Sequence, residues 1–163
     1  MKNVISVYLL KPLTFLNGLT INMGSGSSLL GTKATSLISK KQFKTKTVLY
    51  LHIIDFSNKS GGFHTTPARR PEVAPGQIDE AHTRNEIDIK IPMGSILSVI
   101  NITKTVDIEN GIKTYVWLSF DHAHHGECKG YTLVGGKLFD VINFAEKKDE
   151  RIAHNPKYFD LIS

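Results

Sequence analysis

The sequence predicts one mostly β domain, a small barrel or sandwich of about six to eight short strands. Three observations predict it. β-branched and apolar runs recur along the chain between turn signals. Two glycine pairs stand where hairpins turn, Asn110-Gly111 and Gly135-Gly136. Helical spacing of apolar residues is confined to two short stretches. At 163 residues the chain is one domain's worth of protein, 1–163, long enough to bury a core without staples.

The elements follow in order. Val4–Leu10 reads as a strand ended by Lys11-Pro12. Its apolar stretch is too short and too quickly interrupted for a secretory signal. Ser27–Lys41 has Leu29, Leu30, Ala34, Leu37 and Ile38 at helical spacing and predicts one short helix. Thr45–Phe56 is a nearly continuous apolar run, as in a strand buried on both faces. Glu86–Ile91 alternates with period two, with Ile87, Ile89 and Ile91 inward. Ile96–Thr103 alternates less strictly. Asn110-Gly111 suits the positive φ of a type I′ turn and joins Lys104–Ile108 to Lys113–Phe120. Gly135-Gly136 joins Tyr131–Val134 to Lys137–Ile142 in the same way. Val141–Arg151 predicts a C-terminal helix, stopped by Asn155-Pro156. The core is expected from Val48, Tyr50, Leu51, Ile53, Ile87, Ile89, Ile91, Leu97, Val99, Val116, Leu118, Leu133 and Phe139.

One stretch stands apart. Ser57–Arg84 holds Gly61, Gly62, Gly76, Pro67, Pro71 and Pro75 and few large apolar residues. It reads as a long mobile loop or insertion (57–84), because so few side chains offset the entropy of ordering it. Arg69 and Arg70 within it are candidate contacts for an anionic partner, since guanidinium groups grip carboxylate or phosphate bidentately.

The formal charge is +5, and it is uneven. Residues 1–56 carry seven lysines against one acid, Asp55; the remainder carries 13 basic and 14 acidic side chains. A basic N-terminal third can attract phosphate or an acidic surface. Lys40, Lys41 and Lys44, with Phe43 among them, are the candidate nucleic-acid contacts: charges for phosphates, a ring for a base. The single cysteine excludes an internal disulfide and any multi-Cys zinc module. No apolar run approaches the roughly 20 residues of a membrane span. One thiol and no export signal make the cytoplasm the expected compartment, with signal-free delivery outside the cell left open.

Three segments carry a resemblance. Pro92–Ile100, Lys113–Leu118 and Gly130–Leu138 resemble the strand pattern of bacterial SH3-like barrel domains over about residues 92–140. Ile21–Gly26 is similar to that family's opening stretch, without its arginine. The resemblance implies a barrel that binds a protein or peptide in an aromatic-lined groove, with Tyr115, Trp117 and Tyr131 as groove residues. No P-loop, dinucleotide fingerprint or ordered Ser/His/Asp set is present. The favoured function is therefore a non-enzymatic interaction protein without a cofactor.

The densest polar cluster is Asp121-His122-Ala123-His124-His125-Gly126-Glu127-Cys128. Imidazole, carboxylate and thiolate suit borderline metals. His122, His124 and Asp121 are the candidate ligands, with Glu127, Cys128, His154 or His64 as completing ones. Asp-His-x-His-x-x-Gly is also similar to the ββα-metal nucleases of the endonuclease VII type. That similarity implies a divalent ion held by Asp121 and Asn143, with His122 activating water. Cys128 itself reads as a partly exposed thiol in a turn.

Overall fold

The computed structural model describes residues 26–55, 60–67, 87–144 and 149–163. Strands dominate these residues, and no helix reaches seven residues. The strands are β1 (Ser27–Ser28), β2 (Gln42–Thr45), β3 (Leu49–Asp55), β4 (Ser60–His64), β5 (Ile87–Ile91), β6 (Ile96–Asp107), β7 (Gly111–His122), β8 (Gly126–Leu133), β9 (Phe139–Phe144), β10 (Asp149–His154) and β11 (Phe159–Leu161). Nine of them form one sheet curled into a half-barrel, in the order β11-β2-β6-β7-β8-β4-β3-β5, with β1 also on β6. β9 and β10 form a separate two-stranded sheet. The predicted strand Val4–Leu10, most of 57–84, and Arg69 and Arg70 lie outside the described residues. Where the predicted loop is described, Ser60–His64 is instead strand β4, laddered between β3 and β8, because Gly61 admits the His52 backbone at close approach.

Alternation explains the faces. Along β7, Val116, Leu118 and Phe120 turn inward, with Ile102 and Val99 of β6 beside them. β6 cannot alternate strictly, because Ile100 is an extra residue between the pairs Val99–Leu118 and Asn101–Trp117. This bulge moves the inward positions from odd (Leu97, Val99) to even (Ile102). β3 contributes Leu49, Leu51 and Ile53, and β5 contributes Ile89 and Ile91. β3 is thus apolar on one face only, since Tyr50 and His52 are half-buried on the other.

Three expectations need correction. The helix over Ser27–Lys41 is a single 3₁₀ turn, Lys33–Thr35, followed by hydrogen-bonded turns. Hydroxyls compete there for the backbone: Thr35 Oγ1 donates to the Leu29 carbonyl at 2.7 Å, and Gly31 N–H donates to Ser39 Oγ at 3.1 Å. The C-terminal helix is replaced by β9 and β10. Phe, Val and Ile favour the pleated surface, and burying Phe139 and Ile152 decides the outcome. Gly135-Gly136 does make a turn, with Gly135 at φ 91°, but β9 leaves β8 to pair with β10 instead.

β8 carries a subtler lesson. Its inward positions are Cys128, Gly130 and Thr132, and Leu133 is exposed. Small residues are required there because Leu51 and Phe63 fold over Gly130. Cys128 is therefore a buried core residue, correcting the exposed-turn reading. Its thiol should react with a disulfide reagent only as fast as the protein unfolds. Rapid modification of the native protein would contradict that burial.

Candidate functional site

The same alternation that fills the core builds a second, outward face. One row crosses six strands through successive register pairs: Asp88, His52, Gly62, Tyr131, Trp117 and Asn101. The row beside it begins Lys90, Tyr50, His64, and includes Tyr115 and Thr103. Strands lie about 4.8 Å apart, so each row is a continuous strip of side chains.

The strip is rich in rings. Tyr131 sits 5.7 Å from Tyr115, edge to face, and 5.2 Å from Trp117. His52 and His64 are 6.3 Å apart. Gly62 leaves room between them: a methyl there would lie 3.2 Å from His64 Nε2 and 3.9 Å from the Tyr131 ring. His52 is oriented by Asp88, with Nδ1 3.1 Å from Oδ1. Burial pushes the Tyr131 phenol above its ordinary value, so it stays protonated across the physiological range.

Of the three predicted groove aromatics, the structure brings all three together in different roles. Tyr115 and Tyr131 are half-buried, ring edge against ring face. Trp117 is 1% exposed and donates its indole N–H to Thr103 Oγ1 at 3.0 Å. It packs beside Tyr131 in the same row. Sequence reasoning missed Tyr50, His52 and Asp88 for this face. The signal was present in Glu86–Ile91, whose alternation sets Asp88 opposite the isoleucines.

The histidine cluster occupies the β7–β8 turn. His122 lies 5.9 Å from His124 and 4.8 Å from His125, between ring centres. His124 N–H donates to His122 Nδ1 at 3.2 Å. Among the described residues no three His, Cys, Asp or Glu side chains group as a metal site. Asn143 is on β9 opposite Glu150, a strand where the ββα arrangement requires a helix. The residues present do not fit the divalent ion that the nuclease similarity implies.

Folding brings acids onto two of the N-terminal lysines. Lys33 pairs with Asp149 at 3.2 Å and Lys46 with Asp160 at 3.5 Å, so two charges of the basic third are answered from the C-terminal segment. Lys40 and Lys44 are exposed and Lys41 half-buried. Phe43, the ring proposed to stack on a base, is fully buried.

Two ionisations connect this segment to pH. The Arg151 guanidinium, aided by Lys33, lowers the Asp149 carboxyl. Burial lowers His154, which packs 4.9 Å from Phe43, against an opposing pull from Asp160. A group depressed in the folded state stabilises above its unfolded value and loses that contribution as pH falls. For His154 the loss begins below its ordinary value of 6.5. We expect the melting temperature to fall between pH 7 and pH 5, and His154→Gln to flatten that fall. Parallel profiles for the two proteins would show that His154 does not drive it.

Among the described residues no helix is long and apolar enough to cross a membrane. No protein-family model, curated protein or solved structure matches the chain.

Proposed function

We propose that this chain is a non-enzymatic binding protein that recognises a protein or peptide partner through the outward face of its half-barrel. One observation carries the reading: Tyr50, His52, His64, Tyr115 and Tyr131 gather on the face turned away from the core, beside a buried Trp117. Tyrosine gives large contact area for few rotatable bonds, so ordering it on binding costs little. Tyrosine and histidine rings combine a polar edge, suited to main-chain groups of an extended peptide, with a face that packs on side chains. Trp117 and the Asp88–His52 pair hold the strip in place before binding, which reduces the ordering cost further.

The test is selection from a phage-displayed random peptide library on the immobilised full chain. Enriched peptides are expected to bind the wild type. The double variant Tyr115→Ser, Tyr131→Ser should bind them at least about tenfold more weakly, since buried tyrosines at interface centres are worth more than about 1.4 kcal/mol. Circular dichroism would confirm that the variant keeps its strands. Failure to enrich any peptide, or enriched peptides indifferent to the double substitution, would overturn the proposal.

A further inference from the structure

β9 breaks a rule that the other edges obey. The main sheet ends at β5, which carries Asp88 and Lys90, and at β11, which carries Asp160. Charges at edges discourage another chain from adding. β9 reads Phe-Asp-Val-Ile-Asn-Phe with one charge, and Val141, Ile142 and Phe144 are 42%, 39% and 46% exposed. Among the described residues its one ladder partner is β10.

Three hydrogen bonds fix which main-chain groups face outward. Asn155 N–H donates to the Leu138 carbonyl at 2.9 Å, on the β10 side. Gly135 N–H donates to the Phe139 carbonyl at 3.0 Å, on the opposite side. Val141 N–H turns to the Asp140 carboxylate at 2.8 Å instead of to β10. Even-numbered residues thus bond β10, and odd-numbered ones point away. Val134 and Gly135 already cover the edge at Phe139, so the open stretch begins at Val141.

We propose that β9 is the pairing edge of a two-fold homodimer, in which β9 of a second copy adds antiparallel with Ile142 on the axis. Parity and charge select this register. Val141 then lies opposite Asn143 of the second copy, and the reverse, so outward main-chain groups meet each other. Asp140 lies opposite Phe144 of the second copy, whose ring carries the Arg151 guanidinium 5.0 Å from its centre. The carboxylate leaves its own neighbour's N–H for a cation across the interface. Asp149 does not oppose this, because Lys33 and Arg151 already hold it at 3.2 and 2.9 Å. The surface uses none of the residues assigned to peptide recognition.

Sedimentation velocity of the full chain tests this. From micromolar to millimolar concentration the mass should rise from 18.1 kDa to twice that value. Ile142→Lys, which sets two like charges face to face on the axis, should stay monomeric throughout. Ile142 forms a non-hydrogen-bonded pair across the axis, with Cα atoms about 4.5 Å apart, a separation a disulfide can span. Ile142→Cys should therefore oxidise to a covalent dimer much faster than Ile108→Cys, placed at the 75% exposed residue of the β6–β7 turn. A wild type that remains monomeric, a dimer that survives Ile142→Lys, or equal cross-linking of the two cysteine variants would each overturn the proposal.

Discussion

Gly61→Ala is expected to cost about 3–5 kcal/mol, a large share of the roughly 5–15 kcal/mol that holds a domain together. Gly61 of β4 faces Gly130 of β8 in the parallel pairing that joins the two halves of the main sheet. A methyl on Gly61 would overlap the His52 carbonyl oxygen. That oxygen belongs to the β3–β4 ladder and cannot swing aside as a side chain would. Gly130 is confined mainly by side chains, since a methyl there would stand 2.5 Å from both Leu51 Cδ1 and Phe63 Cε2, with the Gly61 carbonyl oxygen at 2.9 Å. Backbone strain is a separate matter. Gly31 has φ 76° with nothing within 4 Å of an added methyl, so Gly31→Ala should cost only about 1–2 kcal/mol. Urea denaturation separates the two. With a slope of roughly 1–3 kcal/mol per molar for small domains, Gly61→Ala should lower the midpoint by more than about 1 M. Equal losses at Gly61 and Gly31 would mean that the parallel junction yields, contrary to the packing described.

The glycine pair also shows where the sequence is legible and where it is not. Alternation over Glu86–Ile91 and the Asn110-Gly111 turn are local signals, set by the period of the strand and by positive φ at Gly111. Both became β5 and the β6–β7 hairpin. The facing of β8 is not local. Its largest residues, Tyr131 and Leu133, would be chosen for the core, and the strand is then turned by one position. What selects Cys128, Gly130 and Thr132 is the bulk of Leu51 and Phe63 arriving from β3 and β4. The β9–β10 segment failed for a related reason. Mixed charge in 146–151 suggested a helix, while the deciding contact, Phe139 against Phe43 and Phe159, joins residues far apart in sequence.

The candidate site was half legible for the same reason. Tyr115, Trp117 and Tyr131 fall together because β7 and β8 are neighbours in sequence and pair in register. Tyr50, His52 and Asp88 join them through β3 and β5, which reach that face only after β4 has crossed to β8. Charge along the chain is only partly legible: Asp149 and Asp160 fold back onto Lys33 and Lys46, while Lys40 and Lys44 stay exposed.

Phe43→Ala is expected to be as damaging as the glycine change, and more informative about how the two sheets hold together. β2 is four residues long and β11 three, too short to be stable through their ladders alone. Phe43 is fully buried and touches a ring from each element it must join: Phe159 of β11 at 5.7 Å, Phe139 of β9 at 5.8 Å and His154 of β10 at 4.9 Å. Deleting a buried phenylalanine costs about 3–5 kcal/mol, from lost transfer energy and from the cavity left behind. Phe43→Leu, which keeps most of the volume, should cost less than about 1.5 kcal/mol. The damage should also be directional. With the ring gone, His154 is rehydrated, and its lowered pKa should rise towards the ordinary value of 6.5. Amide exchange at Ala153, whose pair with Asp140 is a hydrogen-bonded one, should accelerate more than at Leu118, because β10 depends on this cluster while β7 is held by β6 and β8. NMR titration of His154 and native-state exchange on the same sample provide both readouts. An unchanged His154 titration in a Phe43→Ala protein that has lost stability would mean that another group buries the imidazole, and that Phe43 does not join the sheets.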